Sequence, residues 1–448
     1  MLIPLNASAH AAEQGFVLLL PTTLYTIGGT LAVAFSVAFV CLLSPQRTTK
    51  LFEPIVLGNA PSLENAQLLT SLLASIVFAA LIFVGMAGPT DPQENLLPLT
   101  IWTIWWIGLV AFQGIVGDIW RWINPWQGLY DLAIGTQMPP LKLPKSAGVW
   151  PAVILLVAFN VFAIADIAPS DPRRLAGFAL AYWVFTFGGM IAFGSGPWLR
   201  QVECFSVFFG MLSRLAPLQF DGKIRIGVPG WHYFAGNQIG TSAAIFCIVL
   251  LAMGSFDGLH ETFWWLAKIG INPLEFPGRS AVFWPSTLGL LGACVLLAGV
   301  FAVAVWVGLK LAKLDGFSRA FSGFALTVLP IALGYHIAHF LVTFLLQIQY
   351  VRIALANPLG RGVTLFDLGD FQVTTGFLAV PSTVEVIWLT QAGVVVVSHI
   401  LAVLMAHRVA HDIFASNRQV VLGQLGVAAL MIAYTVFGLW LLASPRGA

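Results

Sequence analysis

Charge is the scarcest commodity in this 448-residue chain: Asp, Glu, Lys and Arg together make up 9% of it, against about 25% in a soluble domain. Twenty-one basic and 19 acidic residues cannot coat a globule of this size with water-seeking groups, and a hydrophobic share of 58% leaves nothing else to do so. A soluble fold is therefore excluded, and lipid is the solvent for most of the surface. The net charge of +2, without a long basic run, removes nucleic acid as a partner. Cysteine is equally sparse: Cys41, Cys204, Cys247 and Cys294 show no CxxC spacing, which argues against a disulfide framework or a cysteine metal knot. A phosphate loop, a dinucleotide glycine motif, a GxSxG elbow and HExxH are all missing, so nucleotide-driven transport and a serine nucleophile find no support.

What the chain has instead is long apolar runs. About 20 residues of helix cross some 30 Å of hydrocarbon. Runs of that order occupy 17–43, 68–87, 96–116, 147–166, 175–195, 240–256, 283–309, 321–348, 386–407 and 419–443. The expected fold class is all-α, a polytopic transmembrane helical bundle of about ten spanning helices plus interfacial helices. Residues 198–215 are an eleventh apolar stretch, but Arg200, Glu203 and Arg214 would have to pass through lipid, so it is read as an interfacial or re-entrant helix. Residues 258–271, with Trp264 and Trp265 suited to headgroup depth, are read the same way on the opposite side. No linker or repeat divides the chain, which is expected to form one integral membrane domain over 1–448. Its water-facing parts are then an outer N-terminal segment, 1–16, an inner loop, 196–239, carrying the interfacial or re-entrant helix, and a long outer loop, 349–385. Residues 1–12 lack the basic start and apolar core of a signal peptide and are read as uncleaved.

Basic residues in short loops resist translocation. With the N-terminus outside, fourteen of the 21 basic residues fall on the inner side, among them Arg47, Arg121, Arg225, Lys310 and Arg418. Both termini are accordingly expected to face outward.

Intramembrane ionisable groups are costly and mark function. His336 and His339, one turn apart in the eighth run, share a helix face. His399 in the antiparallel ninth run lies at a depth matching theirs to within about 6 Å. Three imidazoles at one depth suit Zn, Cu or Fe, and three histidines with an open fourth position are a catalytic zinc geometry that lowers the pKa of bound water. One histidine from each of two helices is also the axial pattern of haem b, the absence of CxxCH excluding covalent attachment. The same buried groups would serve a transporter or metal-handling permease. If that trio holds an ion that hydrolyses an ester, Tyr335 or Glu385 is expected to assist it. Asp166 and Glu385, at helix ends on the outer side, are carboxylates of the kind that orients a ligating histidine, with helix-end solvation the simpler role of each, and His10, preceding the first run with Glu13, is an extra ligand at most. His407 lies about 12 Å beyond His399, too far to share its ion; with Arg408 and His411 it complements a helix C-terminus.

Several motifs recur in an order that resembles a known family. Gly117-Asp118-Ile119-Trp120 with Asn124-Pro125-Trp126, Trp198-Leu199-Arg200 with Glu203 and Phe205, Gly334-Tyr335-His336 with Ala338-His339, Asn357-Pro358-Leu359-Gly360-Arg361-Gly362, and His399 with Ala406-His407 resemble bacterial polytopic proteins labelled fenitrothion hydrolase. The resemblance runs from the His10 region to His411, although no site role is carried to His411, and it implies a multi-pass protein of the bacterial inner membrane that hydrolyses an organophosphate ester. The expected partners are the lipid bilayer and an apolar small-molecule substrate. A reporter enzyme active only in the cytoplasm, fused after Ala448, should remain inactive if the termini face outward, and strong activity would reverse the orientation.

Overall fold

The computed structural model describes residues 17, 20–61, 64–135, 137–236, 239–272, 278–362, 365 and 371–446. Twelve helices carry its architecture: α1 (Thr22–Val40), α2 (Glu64–Ala87), α3 (Leu96–Ile115), α4 (Trp150–Ala165), α5 (Pro172–Phe193), α6 (Ser195–Gln201), α7 (Cys204–Leu212), α8 (Thr241–His260), α9 (Arg279–Ala312), α10 (Phe317–Ala356), α11 (Pro381–Ile413) and α12 (Asn417–Ala443). Among the described residues, nine of these are long and apolar enough to cross a membrane. The exceptions are α4, α6 and α7. At 16 residues α4 reaches only about 24 Å, so the expected span at 147–166 is a helix shorter than a full crossing. Among the described residues the ten apolar runs are mainly helical, and the chain is a multi-pass membrane protein.

The burial pattern shows which solvent the bundle is built for. Large apolar side chains stand outward, as with Phe35 at 70% exposure and Val295 at 74%, a cost in water and a gain in hydrocarbon. The interior is organised around α8, which packs against α4, α9, α10 and α12 and buries Phe246, Cys247, Met253 and Phe256. All four cysteines are free.

The stretch 198–215 forms α6 and α7, separated at Val202–Glu203 and packed inward through Trp198, Phe205, Phe208 and Phe209. Glu203, wholly buried, caps α7 by accepting the Phe205 and Ser206 backbone N–H groups at 3.0 and 2.6 Å, and Tyr182 donates its hydroxyl at 2.6 Å. Desolvation pushes this carboxyl above its ordinary range, while the same donors hold it down. The motif residues around it form a knot. Trp120 donates its indole N–H to Ser206 Oγ at 3.0 Å, and Asn124 Oδ1 accepts the N–H groups of Trp126 and Gln127. Ser75 and Trp183 both donate to the Pro125 carbonyl. These motifs thus tie α2, α5 and α7 to the turn between α3 and α4 by satisfying backbone groups that lipid cannot.

Two details depart from expectation. The segment expected as an inner loop, 196–239, contains strands β2 (Leu218–Asp221) and β3 (Lys223–Ile226), turning at Gly222 with a φ of +62° that glycine adopts without strain, and β1 (Ile55–Asn59) adds antiparallel to β3. The alternation there is too short to stand out between apolar runs. The interfacial segment expected at 258–271 is shorter, since α8 continues through His260 and only Phe263–Lys268 forms a separate helix.

Helices α9 and α12 approach backbone to backbone. A Cβ at Gly308 would lie 2.1 Å from the Gly423 carbonyl oxygen, and one at Gly426 2.0 Å from that of Ala304. Small residues are what allow spans to close this far. Gly426→Ala should therefore destabilise the detergent-solubilised protein by about 1–3 kcal/mol in thermal unfolding, whereas Gly292→Ala, with nothing within 4 Å of its site, should not.

Candidate functional site

The middle of α3, Thr100–Leu109, is wound as a π-helix, a rare geometry associated with functional positions. It presents Trp102 and Trp106 to a cavity of about 250 Å3 whose apolar wall is completed by Phe208 of α7 and Phe340 of α10. The other wall is polar: Asn160 of α4, Ser170, Asp257 of α8, Arg279 of α9, and His336 and Thr343 of α10. An apolar concavity with a few convergent polar groups is the usual form of a small-molecule site.

His336 is the best-defined of these groups. Its Nε2 lies 3.0 Å from the Trp106 carbonyl oxygen. A carbonyl only accepts, so Nε2 carries the hydrogen and Nδ1 keeps a lone pair. Nδ1 makes no hydrogen bond to a described residue. The Trp106 ring meets the imidazole edge to face at 5.6 Å, fixing its plane.

His339 is fully engaged. Its Nε2 is 3.2 Å from Asp257 Oδ2, and Arg446 Nη1 is 3.4 Å from its Nδ1. Guanidinium donates and carboxylate accepts, so the ring is held as the neutral Nε2–H tautomer. The segment bearing Arg446 is pinned by a bridge to Thr262 and by the Phe263 N–H donating to the Pro445 carbonyl at 3.1 Å. Asp257 is in turn close to both His336 and His339 on the adjoining helix.

Arg279 opens α9 and faces the end of α4. It donates Nε–H to the Asp166 carbonyl at 2.8 Å and Nη2–H to those of Ala163 and Ile164, both at 2.9 Å. These are orphan carbonyls of the α4 C-terminus, where a cation also complements the helix dipole. The Asp166 carboxylate itself accepts from Arg174 at 3.0 and 2.6 Å, which holds it below the ordinary carboxylate range. It orients no histidine.

The expected trio does not assemble around an ion. Among the described residues, no group of three or more His, Cys, Asp or Glu side chains is placed to hold a metal. His339 has both nitrogens committed, His336 offers only Nδ1, and His399, although at a comparable depth, donates Nδ1–H to its own helix at Val395 O, 2.8 Å away, with Nε2 buried and unbonded. His399 does not line the cavity, so it does not face His336 across a haem slot either. As placed, the three imidazoles do not form one shared ligand set. Tyr335 is buried with its ring stacked on His339 at 5.8 Å and its hydroxyl, unbonded, against Gly258. Glu385 sits half-buried in the first turn of α11 without a hydrogen bond or ion pair to a described residue. His10 and Glu13 lie outside the described residues.

Asp257, Arg279, Arg446 and the two tryptophans are absent from the sequence-derived site. Asp257 falls one residue past the apolar run 240–256, where it reads as a loop carboxylate, and the two arginines read as outer topology markers. The repeated Ile-Trp pairs in TIWTIWWIGL were the available signal for the wall. No protein-family model, curated protein or solved structure matches the chain.

Removing the imidazole of His339 would strand the Asp257 carboxylate without its N–H donor. His339→Ala should lower stability by about 3 kcal/mol in thermal unfolding, and adding Asp257→Asn should restore much of that loss. A His339→Ala protein as stable as the parent would show that the pair contributes nothing.

Proposed function

We propose that the protein takes an apolar ester with a hydrogen-bond-accepting head from the bilayer into the tryptophan-walled cavity and hydrolyses it, with His336 as general base. The observation that carries this reading is the fixed tautomer of His336, a lone pair on Nδ1 in a cavity that also holds a cation. The tryptophan and phenylalanine wall receives the apolar part of the molecule. Arg279, whose Nε and Nη2 are committed to α4, keeps its Nη1 hydrogens for an ester oxygen on which charge develops. Water loses a proton to Nδ1 as its oxygen attacks the phosphorus or carbonyl carbon, and the imidazolium returns that proton to the departing alkoxide or phenoxide. The Trp106 carbonyl stabilises the imidazolium formed in between. An organophosphate ester is the substrate class suggested by the resemblance in the motifs, and the volume, just below the usual range for drug-sized ligands, suits a compact one. The same reading places the chain in the bacterial inner membrane with both termini outward, because the basic residues are biased toward the opposite side.

A second reading, carriage of such a molecule across the bilayer, is favoured by the Asp257–His339 pair, an ionisable contact joining two spans beside the cavity. One experiment separates them. With protein reconstituted in liposomes and given an aryl phosphotriester, hydrolysis releases the phenol, and His336→Gln should reduce that rate by about 100-fold or more while leaving quenching of tryptophan fluorescence by the ester intact. Quenching and vesicle uptake with no phenol release would support the carrier; undiminished release by His336→Gln would remove His336 from the chemistry.

A further inference from the structure

About 12 Å along α11 from His399, a second pair of histidines stands apart from the cavity. His407 and His411 are one turn apart, and their Nε2 atoms are 3.1 Å from each other with the rings at 79°. His407 is fully buried, and its Nδ1 lies 3.2 Å from Gln424 Oε1 on α12. The amide oxygen only accepts, so Nδ1 carries the hydrogen and the Nε2 lone pair points at His411. Gln424 is itself held by donating Nε2–H to Cys41 Sγ at 3.4 Å. This fixes the ring from behind, as the partners of metal-bound histidines do.

The spacing is what matters. Two nitrogens each about 2.0–2.1 Å from one ion, at an angle between about 90° and 110°, stand roughly 2.9–3.4 Å apart. The observed 3.1 Å lies inside that interval. The nearby Asp412 carboxylate is taken by Arg408, and its backbone carbonyl accepts from Arg319. Among the described residues no third His, Cys, Asp or Glu joins the two imidazoles. We propose that His407 and His411 chelate one divalent transition-metal ion through their Nε2 atoms, with water in the remaining positions. Imidazole selects the Cu, Ni and Zn class over Mg or Ca. His411, partly exposed at this end of the helix, gives the ion its way in. The ester-hydrolysis reading does not depend on this site.

The test is titration of Cu2+ into the full chain, purified in detergent and stripped with a chelator, followed by electron paramagnetic resonance. One ion per chain with hyperfine coupling to two imidazole nitrogens is expected. His411→Ala should weaken binding by at least about tenfold, and Gln424→Ala by about tenfold through loss of ring orientation, while His336→Ala should leave it unchanged. Since His407 is buried and its removal endangers folding, the half-exposed His411 carries the decisive variant, with His407→Gln as its companion. A parent chain showing no saturable Cu2+ site, or one whose affinity survives His411→Ala undiminished, would reduce the pair to a hydrogen bond between two rings and overturn the proposal.

Discussion

Hydrocarbon cannot hydrogen-bond, and nearly every polar arrangement in this protein answers to that fact. A backbone carbonyl or a charged side chain placed in lipid without a partner costs several kcal/mol. Arg279 meets the demand twice over, since its own charge is satisfied by the carbonyls that α4 leaves open at its C-terminus. Glu203 does the same at the start of α7, where two backbone N–H groups and a tyrosine hydroxyl surround one carboxylate. In both cases an ionisable residue is held in place by the backbone groups that a helix terminus leaves open.

The cavity acquires its character from what this pairing leaves over. His339 and Asp257 spend their hydrogen-bonding capacity on each other and on Arg446. His336 spends only half of its capacity, on the Trp106 carbonyl, and Arg279 leaves one nitrogen uncommitted. A base and a cation with spare valence, facing tryptophan rings, are therefore by-products of a fully bonded scaffold around them. Tyr335, nearest in sequence, is shut out of the same space by packing against Gly258.

The helical architecture was legible because its cause is local: apolar length fixes the spans, and charges within 198–215 forbid a crossing there. Ligand sets are non-local, and here the sequence misled. Equal depth on two antiparallel helices says nothing about rotation about each axis, and His399 faces its own helix while His336 faces α3. His336 and His339 do share one flank of α10, yet their partners are a carbonyl and a carboxylate instead of an ion. Asp257 was hidden by a boundary error of a few residues in α8. The short sheet was hidden because strands of four or five residues leave almost no periodic trace. The GDIW and NPW motifs stood out only through a resemblance, and in the structure their side chains close a network of turns.

The π-helical stretch of α3 has a bearing on how the cavity wall is specified. Such a stretch contains more residues per turn than the α-helix on either side, so it behaves as an insertion absorbed without breaking the span. Each residue of an α-helix turns the following ones by about 100°. Losing a single residue between Thr100 and Leu109 would let the segment relax toward α-geometry and swing one half of the span against the other. Trp102 and Trp106 would then no longer face the same space, and the carbonyl that fixes His336 would turn away with them. Chain length in this segment, and not only residue identity, is thus a variable by which relatives of this protein would exchange one cavity lining for another.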